Sequence, residues 1–313
     1  NPMSTTLTPP RAGQRLLQTL SEHRTAYLFI LPFTAAFVVF IVGPVLLAGV
    51  LAFTDFNALQ FPQWVGWRNL RILFTQDIIF LRHVFPNTFI FATAVGVGGF
   101  ILSITAAWAI SYAPRRMRGY YMIAFYLPSI VGPVLTSIVW TVFFSPDRLG
   151  YLNNFLINLG VITEPQAWVQ SPEYLMPIMI FVSMWSRMGV GFLAILAGMY
   201  NVDQQLYEAA RLDGIRSRLQ ELWYITLPAM KPQLLFAAVM AIVTTLRGGG
   251  IGVQLSGRNP TPEYAGQLIE NHMNDYGFIR MEMGYATALS FVLLVIMFLA
   301  NRVAFRLFAS SDE

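Results

Sequence analysis

Residues 83–114 read HVFPNTFIFATAVGVGGFILSITAAWAISYAP, a stretch of 32 residues without Asp, Glu, Lys or Arg. A helix needs about 20 mostly apolar residues to cross the hydrocarbon core of a bilayer. Lipid offers no partner to free backbone N–H and C=O groups, so a stretch of this length inside a bilayer must be helical. The stretch therefore predicts a membrane-spanning helix.

Five further stretches have the same character, and together they predict six spans. The predicted spans cover 26–53, 86–112, 119–144, 174–200, 230–252 and 283–307. The fourth is interrupted by Arg187, and the fifth contains Lys231 near its start and Arg247 near its end. β-Barrel strands are a poor alternative, because the stretches are too long and do not alternate apolar with polar residues. We expect an all-α, polytopic membrane protein whose transmembrane domain covers 25–310.

Composition supports this class. Of the 313 residues, 56% are hydrophobic and 12% are charged, whereas a soluble domain carries about 25% charged residues. The absence of cysteine excludes a disulfide framework, a cysteine-ligated zinc site and a cysteine nucleophile. The three histidines lie far apart in the chain and do not form a metal-binding pattern.

The basic residues predict the orientation in the membrane. With the N-terminus inside, twelve Lys and Arg residues flank the spans on the cytoplasmic side and seven on the outside, with Arg187 left within the membrane. The positive-inside rule then places both termini, and the tail 1–24, in the cytoplasm. Because the charges flank the spans and form no separate basic face, we expect no binding to nucleic acid.

Three loops on the outer side, 54–85, 146–173 and 248–283, are longer than a connection between spans requires. The first contains aromatic residues that suit the membrane interface, Phe61, Trp64, Trp67 and Phe80. Such loops could contact an external partner or could only cap the helices.

The loop 203–228 predicts a short helix–turn–helix on the cytoplasmic surface. Residues 201–215 read NVDQQLYEAARLDGI, and ITLP follows at 225–228. Glu208, Ala209 and Ala210 favour a helix. Asp213 and Gly214 then form a turn signal, because glycine accepts the left-handed conformation that ends helices. Ser217 can cap a second helix.

These motifs resemble the EAA loop of ATP-binding-cassette (ABC) importer permeases. The lead-in LAGMYNV at 196–202, Asn87-Thr88, and Leu127-Pro128 with Trp140 are similar to the maltose-type, carbohydrate-uptake branch of that family. The resemblance extends over about 25–310 and implies the type I importer permease fold with six transmembrane helices. It also assigns contact with an ATPase subunit to Glu208, Ala209, Ala210, Asp213 and Gly214.

Membership in this family implies several partners. They are a second, homologous permease subunit, a pair of ATPase subunits that bind ATP and Mg, an extracytoplasmic solute-binding protein, and an oligosaccharide or sugar-derivative substrate. The location implied is the bacterial inner membrane, in contact with lipid. No cofactor is expected in this chain itself. Its single lysine, Lys231, follows no glycine-rich loop, so the chain lacks the P-loop that binds ATP.

Three other classes of function remain open. A permease for a non-sugar solute would share all of these motifs. A secondary transporter predicts acidic residues inside the spans for ion coupling, and here every Asp and Glu lies outside the apolar stretches. A membrane enzyme or assembly scaffold would need a charged catalytic cluster, and the sequence contains no recognisable catalytic set.

Three residues are candidates for the substrate pathway. Arg187 either lines a polar cavity shared with the partner permease or forms a structural link to a neighbouring helix or to that partner. Asn87 and Trp140 offer a polar group for sugar hydroxyls and an aromatic face for ring CH groups, but both residue types also pack helix bundles.

Overall fold

The computed structural model describes residues 24–308 of the chain. The predicted tail, 1–24, lies outside these residues apart from Arg24. In chain order the helices and strands are α1 (Arg24–Leu51), β1 (Thr54–Asp55), β2 (Gln63–Trp64), α2 (Arg68–Thr75), α3 (Phe80–Tyr112), α4 (Arg115–Ile130), α5 (Pro133–Phe143), α6 (Tyr151–Asn158), α7 (Pro172–Trp185), α8 (Val190–Asn201), α9 (Gln204–Leu212), α10 (Arg218–Ala229), α11 (Lys231–Leu246), α12 (Ile251–Ser256), α13 (Ile269–Asn274) and α14 (Met283–Phe308).

Three helices, α1, α3 and α14, are long and apolar enough to cross a membrane without a break. The shortest of them, α14, has 26 residues. At about 1.5 Å per residue it exceeds the hydrocarbon thickness of about 30 Å. Helix α1 contains one π-helical segment and α3 contains two.

Three further spans consist of two helices with a bend between them. They are α4 with α5, α7 with α8, and α10 with α11, the last two bent by 47° and 82°. With the three continuous helices these pairs make six spans, and the predicted all-helical membrane architecture is confirmed. In the fifth predicted span, 230–252, the helix ends at Leu246 and the chain turns at Gly248–Gly250.

The core of the bundle forms around α8, which packs against α3 on one side and α11 on the other. The contact with α3 contains the small buried residues Ala106 and Ala107, next to Phe192 and Ile195 of α8. Lipid tails are as apolar as leucine, so helices in a membrane are held together by close packing rather than by exclusion of water. Small residues at the α3–α8 contact allow that close approach.

Helix α1 lies at the edge of the bundle. None of its most apolar 18-residue window is buried, and it contacts α14 through its second half, Gly43–Leu51. This apolar surface suits contact with lipid.

The long connections 52–79 and 247–282 pack together at one end of the bundle, which we call the long-loop end. The buried side chain of Asn69 donates hydrogen bonds to the carbonyls of Ala52 and Thr54, at 3.0 and 2.9 Å. The N–H of Gly284 donates to the carbonyl of Phe56 at 2.9 Å. Segments distant in sequence are thereby held in fixed positions at this end.

A buried carboxylate joins three of these segments. Asp77 Oδ2 lies 2.7 Å from His272 Nε2 and accepts a hydrogen bond from the Tyr285 hydroxyl, also at 2.7 Å. Its Oδ1 accepts from the N–H of Phe80 at 2.9 Å. Burial would raise the pKa of Asp77, but the hydrogen bonds from His272, Phe80 and Tyr285 lower it below its usual 3.8.

Phe80 belongs to this buried group and not to the membrane interface. Its side chain is 0% exposed and packs against Phe74, Phe85 and His272. Phe61, Trp64 and Trp67, by contrast, are exposed. Phe80 therefore does not belong to an aromatic belt at the membrane interface. The buried Asp77, just before α3, binds the N–H of Phe80 and holds the first turn of α3 in the interior.

We predict that Asp77→Ala destabilises the protein by about 3–5 kcal/mol, because it leaves buried polar partners without their acceptor. The measurement is thermal unfolding of the purified protein in detergent. The control is Asp55→Ala, since Asp55 forms an exposed ion pair with Arg68 at 3.5 Å and such pairs contribute about 0–1 kcal/mol. Equal melting temperatures for the two variants would contradict the prediction.

Candidate functional site

A partly open cavity of about 560 Å³ lies between the helices, and ten polar residues contribute to its mainly apolar lining. Two of the three bends line it, the Val131–Gly132 break between α4 and α5 and the Ser186–Gly189 break between α7 and α8. Irregular backbone at membrane depth is tolerated where it faces such a cavity, because water or a solute can satisfy its free polar groups. The polar residues of the lining are Ser103, Ser129, Thr136, Ser183, Ser186, Arg187, Thr244, Arg247, Gln254 and Glu270.

Arg187 lies in the bend between α7 and α8. Helix α7 ends at Trp185, and α8 begins at Val190 after Gly189, whose φ and ψ of −95° and −140° are not helical. The guanidinium donates a hydrogen bond to the side-chain oxygen of Thr244 on α11. Arg187 thus lines a cavity of this chain and also links two of its helices.

The stem of Arg187 packs against α3 at Gly99. A Cβ atom placed on Gly99 would lie 3.1 Å from Arg187 Cγ, closer than most such contacts. Within residues 24–308, no carboxylate lies within 4.0 Å of the Arg187 guanidinium. A charged side chain at the centre of a membrane helix costs about 2.5–3.5 kcal/mol on insertion scales, so the hydrogen bond to Thr244 and the cavity offset this cost only in part.

A second arginine, Arg247, lines the same cavity at the end of α11. The following turn, Gly248–Gly250, is held by Glu270 of α13, whose Oε2 accepts a hydrogen bond from the N–H of Gly249 at 2.6 Å. From the sequence, Arg247 is predicted only to lie near the end of the fifth span, and neither Arg247 nor Glu270 is a candidate site residue. The sequence feature that could have identified Arg247 is Arg-Gly-Gly-Gly directly after an apolar stretch. No such feature marks Glu270, because the residue it binds, Gly249, is 21 residues away in the sequence.

Asn87 anchors a loop and is not among the residues that line the cavity. Its side-chain amide donates to the carbonyls of Tyr264 and Gln267, at 2.8 and 3.4 Å. The adjacent Thr88 accepts a hydrogen bond from the N–H of Ile269 at 3.0 Å. The structure therefore places these residues of α3 where they hold the connection 247–282.

Trp140 lies in an aromatic cluster between α5 and α7 and is likewise not among the lining residues. Its ring stacks on Phe144 and meets Phe181 and Trp185 edge-on, with ring centroids 5.3–5.6 Å apart. Edge-to-face pairs at such distances stabilise helix contacts. In this arrangement the ring packs helices against each other.

The loop 203–228 forms two helices with a turn between them. Asp203 caps α9 by accepting a hydrogen bond from the N–H of Gln205 at 2.9 Å. Gly214 follows α9 with φ +94°, a conformation that favours glycine. Ser217 then begins α10 with a capping box, in which its hydroxyl accepts from Gln220 N–H and the Gln220 side chain accepts from Ser217 N–H.

Polar contacts hold this loop against the bundle. Arg211 forms an ion pair with the buried Glu221 at 3.2 Å, and the Tyr112 hydroxyl at the end of α3 donates to the same carboxylate at 3.4 Å. The hydroxyls of Tyr207 and Thr226 lie 2.8 Å apart. The two helices of the loop are thereby fixed to each other and to α3.

The opposite face of the loop is free of such contacts. Glu208, Ala209, Asp213 and Gly214 are exposed, whereas Ala210 is buried against the turn. Arg211 pairs with Glu221, and Glu208 forms no ion pair with any residue in the described range. The neighbouring Leu212 is 91% exposed. An acidic side chain and a bare leucine next to each other leave a surface that a partner protein could cover.

Comparisons with known proteins agree on one family. The family model "Binding-protein-dependent transport system inner membrane component" matches residues 99–310. The probable ABC transporter permease protein YesP of Bacillus subtilis is 31% identical over 289 residues, which cover 91% of this chain and 90% of that protein. The arabinooligosaccharides transport system permease protein AraP of the same organism is 25% identical over 305 residues, 93% of this chain and 90% of that one.

A solved structure has the same fold along almost the whole chain. One chain of a bacterial alginate ABC transporter, crystallised in complex with an alginate pentasaccharide-bound periplasmic protein, superposes with a TM-score of 0.79 at 25% identity. The match covers 95% of this chain and 99% of that one. The resemblance to carbohydrate-uptake ABC importer permeases is therefore confirmed, and this chain belongs to the family of binding-protein-dependent transport system inner membrane components, the permease subunits of ABC transporters.

Proposed function

We propose that this chain is one of two permease subunits of an ATP-driven, binding-protein-dependent sugar importer in the bacterial inner membrane. The observation that carries the proposal is a cavity with hydroxyl and arginine side chains in its lining, between the helices of a chain that belongs to this permease family. The names of AraP and of the alginate transporter refer to saccharides. The hydroxyls of Ser103 and Ser186 donate to the carbonyls of Gly99 and Val182, at 2.8 and 3.1 Å, and can still accept a hydrogen bond from a saccharide hydroxyl, as can the hydroxyl of Ser183.

The proposal includes partners that supply what this chain lacks. A second, homologous permease would complete the translocation pathway, a pair of ATPase subunits would bind and hydrolyse ATP with Mg, and a solute-binding protein would deliver the sugar. The permease would have no nucleotide site of its own, since its only lysine is not part of a P-loop.

The proposed function is tested with the complex of this chain, its partner permease, the ATPase subunits and the binding protein, reconstituted in liposomes. We expect ATP-dependent accumulation of at least one saccharide from a panel that includes arabino-oligosaccharides, alginate oligosaccharides and lactose. The control is the same vesicle with a non-hydrolysable ATP analogue. Accumulation of an amino acid or an inorganic ion, with no saccharide transported, would instead support a permease for a non-sugar solute.

For the orientation we propose that the loop 203–228 and both termini lie in the cytoplasm. The proposal rests on the twelve-to-seven distribution of basic residues. Reporter fusions after Gly150 or Arg258 should score as extracytoplasmic, and fusions after Gly119 or Gly214 as cytoplasmic. The opposite pattern would reverse the orientation of the whole chain.

The connectivity of the bundle supports a role of the loop 203–228 in coupling. Helix α8 begins beside the Arg187 bend and ends at Asn201, directly before α9. Helix α11 begins directly after α10 and ends beside Arg247. The two helices that flank the loop therefore also carry the cavity wall at their other ends, about 18–24 Å away at 1.5 Å per residue. A displacement of the loop would be transmitted to the cavity along rigid helices.

Within this loop we assign contact with the ATPase subunit to the exposed face around Glu208. Glu208 would pair with a basic residue of the ATPase, Ala209 and Ala210 would allow close approach, and Asp213 and Gly214 would maintain the turn. The exposure of Glu208 and the pairing of Arg211 with Glu221 support this assignment, since they leave the Glu208 carboxylate available.

We predict that Glu208→Lys abolishes most of the substrate-stimulated ATP hydrolysis and uptake while the complex still assembles, because a positive charge would face the basic partner. Both activities are measured on purified complexes in liposomes. The control is Glu164→Lys, the same charge change at an exposed position of the connection between α6 and α7. Parental activity in the Glu208 variant would show that this face does not couple the subunits.

A further inference from the structure

The charge of the cavity lining is unbalanced. Among residues 24–308, Arg187 and Arg247 both line it and Glu270 is the single acidic residue of the lining, so these residues give it one net positive charge. Neither arginine has a carboxylate within 4.0 Å in the part of the chain that the structure describes. Two guanidinium groups of the lining, the half-buried Arg187 and the exposed Arg247, therefore have no ion-pair partner among the described residues.

The carboxylate of Glu270 is engaged elsewhere. Its Oε2 accepts a hydrogen bond from the N–H of Gly249 at 2.6 Å, and its side chain fills the space where a residue larger than glycine would place a Cβ at position 249. Glu270 thereby fixes the turn that follows Arg247. It positions the turn and forms no ion pair within 4.0 Å with either guanidinium.

The two arginines occupy successive levels of the cavity. Arg187 is hydrogen-bonded to Thr244 of α11, and Arg247 follows Thr244 by three residues. Three residues of a helix correspond to a rise of about 4.5 Å, close to one turn. A solute passing along α11 would therefore meet one guanidinium and then the other.

The chemistry of these groups distinguishes anionic from neutral saccharides. Ser103, Ser183 and Gln254 already provide donors and acceptors for the hydroxyls of a neutral sugar. A guanidinium adds two parallel N–H donors and a positive charge, which match a carboxylate or another oxyanion and are not needed by a hydroxyl. The same positive charge lowers the cost of removing an anion from water.

We infer that the saccharide carried by this permease bears an anionic group, and that Arg187 and Arg247 determine this specificity. The inference rests on the proposed sugar-import function. The best-matched group is the carboxylate of a uronic acid, and a sulfonate or a phosphate ester likewise offers two oxygens that a guanidinium can bind in parallel.

The first test compares saccharides that differ in charge alone. In liposomes containing the full complex with its binding protein, uptake is measured for trigalacturonate, triglucuronate and trimannuronate, and for the methyl esters of each. Sulfoquinovose and glucose are a further pair for a sulfonate, and glucose 6-phosphate and glucose for a phosphate ester. We expect at least one anionic member to be accumulated about ten-fold faster than its neutral counterpart.

The second test removes the charges from the cavity. Arg187→Gln and Arg247→Gln should each reduce uptake of the anionic saccharide about ten-fold or more, as expected for the loss of a hydrogen bond to a charged group. Arg187→Lys should retain more uptake than Arg187→Gln because it keeps the charge. Arg71→Gln, which removes an exposed arginine from α2 outside the cavity, is the matched control.

The outcomes separate this inference from the function on which it rests. If no saccharide of any charge is accumulated, the proposed function fails. If neutral saccharides are accumulated as fast as their anionic counterparts, or if arginine variants lose the uptake of both equally, sugar import stands and the specificity inference is overturned. Equal loss of both kinds of uptake in the arginine variants would instead indicate that the arginines pair with an acidic residue of the other permease subunit. The comparison of charge pairs uses the unmodified protein, so it still tests whether the transported saccharide is anionic where a variant fails to assemble.

Discussion

The requirement that every backbone N–H and C=O group inside a bilayer be satisfied underlies the whole structure. It makes each span helical, and it confines breaks in the helices to places where a polar environment is available. Two of the three bends, at Val131–Gly132 and at Ser186–Gly189, meet at the same cavity. The third, at Met230, lies next to the loop 203–228. The cavity and the loop 203–228 are thus both found where helices are interrupted.

Two helices connect the cavity to the loop 203–228. Helices α8 and α11 pack closely against each other and connect the cavity wall to the two sides of the loop. Close-packed interiors transmit displacement rather than absorb it. The ion pair of Arg211 with Glu221 and the contact of Tyr112 with Glu221 fix the loop to α3 as well. A force on the face around Glu208 would therefore act on three of the helices that line the cavity.

The long-loop end is held by a different kind of interaction. There the chain places a carboxylate, an imidazole and a phenol in one buried network, and a second network around Asn153 connects α6 to Gln166 and Trp168. Buried polar networks are costly when incomplete and rigid when complete. The side chain of Asn87, a candidate from the sequence for contact with a solute, also holds this end together, because it attaches the connection 247–282 to α3.

The sequence by itself determined the features that depend on local composition. Six apolar stretches specify six spans because a bilayer imposes length and polarity on each helix separately, and Ser217 and Gly214 specify a cap and a turn within a few residues of themselves. Arg187 could be identified because its charge stands out against its immediate neighbours. The tertiary structure alone decided that Arg187 and Arg247 line the same cavity. It also decided that Trp140 packs helices against each other, that Asn87 anchors the connection 247–282, and that Asp77 contacts His272, 195 residues away in the sequence. Such contacts depend on how helices pack, and packing is determined by the shapes of many side chains at once, which no short stretch of sequence contains.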